Sequence, residues 1–210
     1  LVGDTSITLS RCPVSTAPRT AATLEELPLR VLLVLSEPLD ASPILPERAR
    51  EQLVHGLRTL DEEGTVIVDL LRPPTFDTLV EAARTGGYHM LVFYGHGVYD
   101  PDDGGLLLFE NEFGGQARVK ADEVGAALRN TDVRLVLLGA CQSAQVSEHG
   151  GVWSGTAPAL LRAGVPLVIG MQVSMRVDAA QAFIRQFALS LAAGKSISEA
   201  ASDARLRLIR

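Results

Sequence analysis

Two residues of the types that form a nucleophile and its base, His96 and Cys141, each follow a run of apolar residues. Cys141 closes the run in VRLVLLGACQS, residues 133–143, and His96 stands between two glycines directly after YHMLVFY, residues 88–94. A thiol becomes a nucleophile when a neighbouring base or cation increases its thiolate fraction. The pair therefore predicts a Cys–His dyad capable of covalent catalysis.

The remaining cysteine and histidines fit such a role less well. A cysteine after an apolar run is usually a small buried hydrophobe, so it is the glycine-flanked histidine that makes Cys141 a candidate nucleophile. Cys12 has no flanking site, while His55 falls in a helical pattern and His89 at the start of a strand, which predicts structural or surface roles. His149 follows in a loop where it could contact a substrate. As a base, however, it would have to fold back over a nucleophile only eight positions earlier.

The composition is typical of a globular domain with a full-sized core. The chain has 210 residues, of which 47% are hydrophobic, and its net charge of −6 argues against a nucleic-acid-binding surface. No apolar run approaches the roughly 20 residues of a membrane helix, and no signal-peptide pattern opens the chain. Two cysteines make neither a disulfide framework nor a zinc pattern, which favours a reducing cytoplasm and predicts no metal or other cofactor. The first residue is Leu1, so we expect a piece of a longer protein.

Apolar runs separated by glycine and proline predict strands that alternate with helices. Buried strands are predicted at 29–36, 65–70, 88–94, 106–110, at the start of 133–143 and at 165–170. Helices are predicted at 46–60, 76–84, 119–129, 152–162, about 179–193 and 196–208, the last with a Ser-Ile-Ser-Glu capping box at 196–199. A half-exposed strand at 5–11, a loop at 13–28, a hairpin-like turn at 112–116 and a loop over the site at 142–151 complete the prediction.

This alternation predicts an α/β domain with a mostly parallel sheet. Strands buried on both faces are typical of such sheets, and ligands gather just beyond the carboxyl ends of the strands. His96 and Cys141 both follow predicted strands and would meet there if those strands are neighbours. Gly95 and Gly97 would let the chain turn sharply and let another chain approach the imidazole.

Five ordered motifs carry a resemblance to a known family. They are YHMLVFYGHG, GGLLLFEN, VRLVLLGACQSA, WSGTAPALLRAGVPLVIGMQ and LAAGKSISEAASDAR. Together they resemble the CHAT family, caspase-like cysteine peptidases related to caspases, gingipains, clostripain and separase. The resemblance runs from about Leu29 to the end. It implies a caspase-like CHAT peptidase domain at 29–210, preceded at 1–28 by a strand and loop that form the tail of an upstream segment.

The resemblance also implies a fold, a mechanism and partners. The fold would be a caspase-like three-layer sandwich with a mostly parallel central sheet, and the family's dyad maps onto His96 and Cys141. The enzyme would be a cysteine endopeptidase whose oxyanion is bound by the backbone N–H groups of Gly97 and Cys141. The expected partners are a protein or peptide substrate and a regulatory domain or protein, without nucleic acid or membrane.

The residues that would bind substrate follow the strand predicted at 165–170. A substrate strand would pair with the segment formed by Met171, Gln172, Val173 and Ser174. Members that cleave after basic residues carry an acidic residue shortly after the MQ-like motif. In the simplest ungapped register Val177 takes that place and Asp178 is next to it. Asp178 is therefore predicted either to line the selectivity pocket or to cap the following helix.

Three other classes of protein compete with a peptidase. An α/β-hydrolase would use an elbow like Gly139-Ala140-Cys141, but its histidine comes late in the chain, after an acid, and only His149 follows the cysteine. A catalytically silent caspase-like scaffold or interaction module is the stronger rival, and the intact dyad argues against it. A ligand-sensing α/β module would need a phosphate loop or nucleotide fingerprint, and the sequence carries neither.

Overall fold

The computed structural model of the chain describes residues 27–58, 64–139, 155–170 and 177–209. In chain order its elements are β1 (Leu29–Leu35), α1 (Glu47–Arg58), β2 (Val66–Leu70), α2 (Phe76–Thr85), β3 (Met90–Tyr94), β4 (His96–Asp100), β5 (Gly104–Glu110), β6 (Gln116–Lys120), α3 (Ala121–Leu128), β7 (Leu135–Leu138), α4 (Thr156–Arg162), β8 (Leu167–Gly170), α5 (Val177–Ala192) and α6 (Ile197–Ile209). None of the helices within these ranges combines the length and hydropathy needed to cross a membrane.

Within the described ranges, five parallel strands form the central sheet in the order β2-β1-β3-β7-β8. Its innermost strands, such as β1 with the sequence LRVLLVL, are buried along nearly their whole length. Continuous apolar runs are required there because helices cover both faces of a parallel sheet. The predicted α/β class with a mostly parallel sheet is therefore confirmed.

Alternate residues of β1, β3, β7 and β8 contribute to two separate hydrophobic cores. One core joins the sheet to α1, α5 and α6 and contains Phe183 and Phe187. The other joins the opposite face to α2, α3 and α4 and contains Phe93 and Phe109. The central sheet thus lies between two layers of helices, which confirms the predicted three-layer arrangement.

A second sheet of three antiparallel strands, β4-β5-β6, packs on the same side as α3 and α4. The sequence analysis predicted only β5 of these strands. Val119 and Lys120, predicted to start a helix, belong instead to β6, and α3 begins at Ala121. Both missed strands lack an apolar run: only Val119 is buried in β6 and only Gly97 in β4. These two strands therefore form because they are hydrogen-bonded to β5, and not because of a pattern of apolar residues in their own sequences.

The other predicted elements between residues 29 and 209 are confirmed wherever the structure describes them, with small shifts at their ends. The hairpin-like turn predicted at 112–116 joins β5 to β6, and Gly114 adopts a positive φ there. The first residues of the predicted helix at 152–162 and the whole of the predicted loop at 142–151 lie in the gap before residue 155, outside the described residues. The strand predicted at 5–11 also lies outside the described residues.

The predicted capping box at the start of α6 is present and carries a stability prediction. Ser196 Oγ accepts the Glu199 N–H at 3.3 Å, and Glu199 Oε2 accepts the Ser196 N–H at 2.9 Å. The Ser196 hydroxyl also donates to Glu199 Oε2 at 2.6 Å, and this bond, together with the one from the Ser196 backbone N–H, stabilises the ionised carboxylate and holds the pKa of Glu199 below its ordinary value. Replacing an N-cap serine with alanine lowers the free energy of unfolding by about 1 kcal/mol. We expect Ser196→Ala to do so in urea unfolding, whereas Ser202→Ala, at an exposed position of the same helix, should change little.

The pH dependence of the Ser196→Ala effect tests the same contact. Because the pKa of Glu199 is lower in the folded state, its stabilising contribution is complete above the ordinary carboxyl pKa and is lost as the pH falls through the folded-state value. The difference between wild type and Ser196→Ala should therefore shrink under acidic conditions. A difference that stays constant through that range would show that the bond from the Ser196 hydroxyl to the carboxylate contributes nothing to the cap.

Candidate active site

The strands that precede His96 and Cys141 are neighbours in the central sheet. Residues of β3 pair in parallel with those of β7, from Met90 opposite Leu135 to Phe93 opposite Leu138. The ladder continues past the end of β7, where the Gly139 N–H donates to the Phe93 carbonyl at 2.8 Å. The carboxyl ends of both strands therefore lie side by side, as the sequence analysis required for a dyad.

Close packing of Tyr94 against Gly139 holds these two strand ends together. A Cβ atom at position 139 would lie 2.5 Å from the Tyr94 ring, so no side chain fits there. Tyr94 is only 4% exposed, and its carbonyl accepts the Ser36 N–H at 3.0 Å. The glycine before Ala140 and Cys141 thus allows a direct backbone-to-ring contact with the strand that leads to His96.

His96 stands at the first position of β4, immediately after the chain bends away from β3 at Gly95. A Cβ atom at Gly95 would lie 2.6 Å from the Phe93 ring, which explains the glycine at this bend. His96 is half-buried and pairs with Leu108 of β5. The imidazole is thereby attached to a strand of the second sheet at the edge where the central strands end.

One hydrogen bond determines which ring nitrogen of His96 carries a proton. Its Nε2 lies 2.7 Å from the carbonyl oxygen of Ser42. A carbonyl oxygen can only accept a hydrogen bond, so Nε2 must be the donor. In the neutral ring this leaves the lone pair on Nδ1, which is then the basic atom.

The structure describes only some of the other predicted site residues. Gly97 is buried in β4 opposite Leu107. Asp178 is exposed in the first turn of α5, where its Oδ1 accepts the Ala179 N–H at 3.0 Å. It lines a cavity of about 330 Å³ together with Gln181, Ala182, Arg185, Gln186 and Arg207. Cys141, Met171, Gln172, Val173 and Ser174 lie outside the described residues, as do Cys12 and His149.

Two histidines that the sequence analysis set aside have the predicted character. His55 is exposed on α1, and His89 accepts the Arg30 N–H on its Nδ1 at 3.2 Å, next to the start of β3. Across the part of the chain that the structure describes, no group of three or more His, Cys, Asp or Glu side chains could hold a metal ion.

The sequence analysis missed Ser42, because a contact made by a backbone carbonyl leaves no mark on the residue type. It also missed Glu37, whose carboxylate organises the loop that carries Ser42. Glu37 follows directly after the buried strand run at 29–36, and a carboxylate just beyond a buried strand is the signal that could have drawn attention to it.

The fold and this edge of the sheet define a class: a three-layer α/β protein with a histidine presented at the carboxyl end of its central strands. The CHAT domain family model matches residues 3–210, and the chain belongs to that family. The match begins at residue 3, within the segment at 1–28 that was predicted to precede the domain. The predicted domain boundary after residue 28 therefore stays a prediction.

The crystal structure of the Drosophila initiator caspase Dronc is similar with a TM-score of 0.38 and 9% sequence identity, over 89% of this chain and 80% of that one. No curated protein matches the chain.

Proposed function

We propose that this domain is a cysteine endopeptidase in which His96 activates Cys141. The observation that carries the proposal is the register of the two central strands. Met90 pairs with Leu135 and Phe93 with Leu138, an offset of 45 positions in each case, and His96 and Cys141 differ by the same 45 positions. In the sequence, each residue stands two positions after one of a pair of neighbouring backbone positions, Tyr94 at the end of β3 and Gly139 just after β7.

The chemistry follows from the proton on Nε2. Nδ1 of His96 accepts the thiol proton, and the thiolate of Cys141 attacks the carbonyl carbon of the scissile bond. The carbonyl electrons move to oxygen, where the backbone N–H groups of Gly97 and Cys141 would stabilise the charge. Collapse of the tetrahedral intermediate breaks the C–N bond, and the imidazolium protonates the leaving amine. Water then hydrolyses the thioester, with Nδ1 taking its proton and returning it to the thiol.

Ser42 supports this cycle without reacting. Its carbonyl oxygen accepts the Nε2–H at 2.7 Å, which keeps the lone pair on the nitrogen that faces away from the loop. The same contact stabilises the positive ring that forms when Nδ1 is protonated, because the carbonyl dipole points its negative end at the ring. A histidine held in the wrong tautomer could not accept the thiol proton through Nδ1.

The substrate would bind as an extended strand along Met171, Gln172, Val173 and Ser174. These residues directly follow β8, which pairs in parallel with β7, so they continue from the strand next to the one that leads to Cys141. Main-chain hydrogen bonds to such a segment would give affinity without fixing the sequence of the peptide. The substrate class is therefore a protein or an unfolded peptide segment.

Labelling of Cys141 by a peptide that carries a thiol-reactive electrophile tests the proposal. The wild-type domain should form one covalent adduct, located at Cys141 by peptide mass spectrometry, and His96→Ala should slow its formation strongly. Equal labelling of Cys12 and Cys141 would mean that neither thiol is activated. That result would favour a catalytically silent scaffold over a peptidase.

Regulation and cellular setting belong to the same proposal. A thiol nucleophile must remain reduced, and two cysteines form no disulfide framework, so we assign the domain to a reducing cytoplasm. We also expect an upstream domain or a protein partner to order the segment at 142–151 next to Cys141, because polar, glycine-bounded segments beside a nucleophile commonly gate enzymes.

The role of Asp178 can be decided by one substitution. Its Oδ1 accepts the adjacent N–H of α5, and the cationic side chains of Arg185 and Arg207 line the same cavity. These contacts favour a role at the helix start over a pocket for a basic side chain. Removing an acidic residue from a first helical turn lowers the free energy of unfolding by about 0.3–1 kcal/mol. We expect Asp178→Ala to do this and to leave the residue preference unchanged.

Profiling wild type and Asp178→Ala on one peptide library checks that expectation. A selective loss of cleavage after arginine or lysine in the variant would instead assign Asp178 to the selectivity pocket, through a charge-assisted hydrogen bond to the substrate.

A further inference from the structure

The Ser42 carbonyl that orients His96 belongs to the connection between β1 and α1, residues 36–46, which has no regular secondary structure. A backbone carbonyl on an irregular connection holds its direction only if other contacts fix the chain on both sides. The structure contains such contacts on both sides of Ser42. On one side, a single carboxylate makes them.

The Glu37 side chain links the beginning of this connection to its end. Its Oε1 accepts the Leu45 N–H at 3.2 Å, and its Oε2 accepts a hydrogen bond from Arg50 Nη1 at 3.0 Å. Its own N–H donates to Glu110 Oε1 at 3.0 Å, which ties the same residue to the end of β5. The Glu37 side chain is only 16% exposed, so these bonds are formed largely out of water.

The turn between β5 and β6 is hydrogen-bonded to the part of the connection that precedes Ser42. The Leu39 N–H donates to the Gly114 carbonyl at 2.9 Å, and Asp40 Oδ1 accepts the Gln116 N–H at 2.7 Å. Ser42 therefore lies between an anchor at Asp40 and the carboxylate bridge at Leu45. Its carbonyl direction depends on both.

We propose that Glu37 is a positioning residue for His96, acting through the Ser42 carbonyl. By bridging the first and last parts of the connection, the carboxylate keeps the Ser42 oxygen within hydrogen-bond distance of Nε2 and thereby keeps the lone pair on Nδ1. The inference rests on the proposed peptidase function for its kinetic consequence. Its structural consequence, the tautomer of His96, can be measured without any substrate.

The consequence for catalysis is a loss of turnover rather than of substrate affinity. Without the Glu37 carboxylate the Leu45 N–H loses its acceptor and Arg50 loses the nearer of its two carboxylates, so the Ser42 carbonyl is free to turn from the ring. Misplacement of a catalytic group by about 1 Å can lower the rate about 100-fold. We expect Glu37→Ala to lower kcat about 10- to 100-fold with KM changed by less than about threefold, because the substrate segment lies on another strand.

Two further variants separate positioning from general stability. Glu37→Gln keeps an oxygen that can accept the Leu45 N–H, so it should recover part of the lost kcat. Glu47→Gln removes the other carboxylate near Arg50. Glu47 Oε1 lies 3.8 Å from Arg50 Nη2, and the Glu47 side chain is 81% exposed. Because exposed ion pairs contribute little, Glu47→Gln should keep kcat within about twofold of wild type.

The experiment combines steady-state kinetics with nitrogen NMR of the histidine rings in the same 210-residue proteins. Rings labelled with ¹⁵N, with His96 assigned by its absence in His96→Ala, report which nitrogen carries the proton at a pH about two units above the usual histidine pKa of about 6.5. Wild type and Glu47→Gln should show only the Nε2–H form. Glu37→Ala should show both tautomers, and Glu37→Gln an intermediate mixture.

A His96 ring that remains entirely in the Nε2–H form in folded Glu37→Ala would overturn the proposal, even if that variant melts earlier. So would an unchanged kcat in an active wild-type background. If the wild type cleaves no peptide, the peptidase assignment fails, yet the tautomer measurement still decides whether Glu37 positions His96. Should Glu37→Ala not fold, Glu37→Gln gives the same comparison against Glu47→Gln.

Discussion

Cys141→Ala and His96→Ala are each expected to abolish peptide cleavage while leaving the fold intact. Cys141 supplies the atom that forms the acyl-enzyme, so its loss removes the pathway altogether. His96 supplies the base and the acid, a contribution of about 10²–10⁴-fold in rate. His96 follows β3 and is half-buried, so its loss should not open a large cavity, and Cys141→Ala removes a single sulfur atom.

Peptide hydrolysis with confirmed folding by circular dichroism measures this effect. Cys12→Ala and His55→Ala are the matched controls, since His55 is exposed on α1 and far along the chain from the dyad. Both controls should retain wild-type kcat/KM. Retained cleavage in Cys141→Ala or His96→Ala would remove that residue from the mechanism, and inactivation by Cys12→Ala would move the nucleophile to Cys12.

Gly139→Ala is the second change with a large expected effect, because it acts on the packing that joins the two strand ends. The added Cβ would lie 2.5 Å from the buried Tyr94 ring, closer than carbon atoms approach in folded proteins. Overpacking of this kind lowers the free energy of unfolding by about 1–3 kcal/mol. We expect urea unfolding to show that loss, and kcat/KM to fall as well, since relief of the clash moves β3 away from β7.

A double-mutant cycle with Tyr94→Ala isolates the cause. Removing the ring should itself destabilise the core, since Tyr94 is only 4% exposed. In that background, however, the three atoms nearest to an added Cβ at position 139 are gone, since all belong to the Tyr94 ring, and the further change should have a much smaller effect. Additive effects of the two substitutions would contradict the proposed contact and point to backbone conformation at Gly139 instead.

The central sheet and its helices could be predicted from the sequence because burial on both faces demands continuous apolar runs, which are visible without a structure. The run at 29–36 became β1 and the run at 88–94 became β3. Local chemistry was equally readable where it depends on near neighbours: the capping box at 196–199 forms the predicted reciprocal bonds. The glycines around His96 and the cysteine after a buried run were enough to predict a candidate dyad, and the pairing of Cys141 with His96 stays a prediction.

Contacts between distant segments had to come from the tertiary structure. The strand β4 is made a strand by its pairing with β5, so its own residues show no pattern. The Ser42 carbonyl meets His96 across 54 positions of sequence, and Glu37 meets Glu110 across 73. The sequence alone determined which residues have the chemistry of a dyad and which runs fill the core. Only the tertiary structure decided which ring nitrogen of His96 is basic, because backbone carbonyls are identical along the chain and folding alone selects the one that faces the ring.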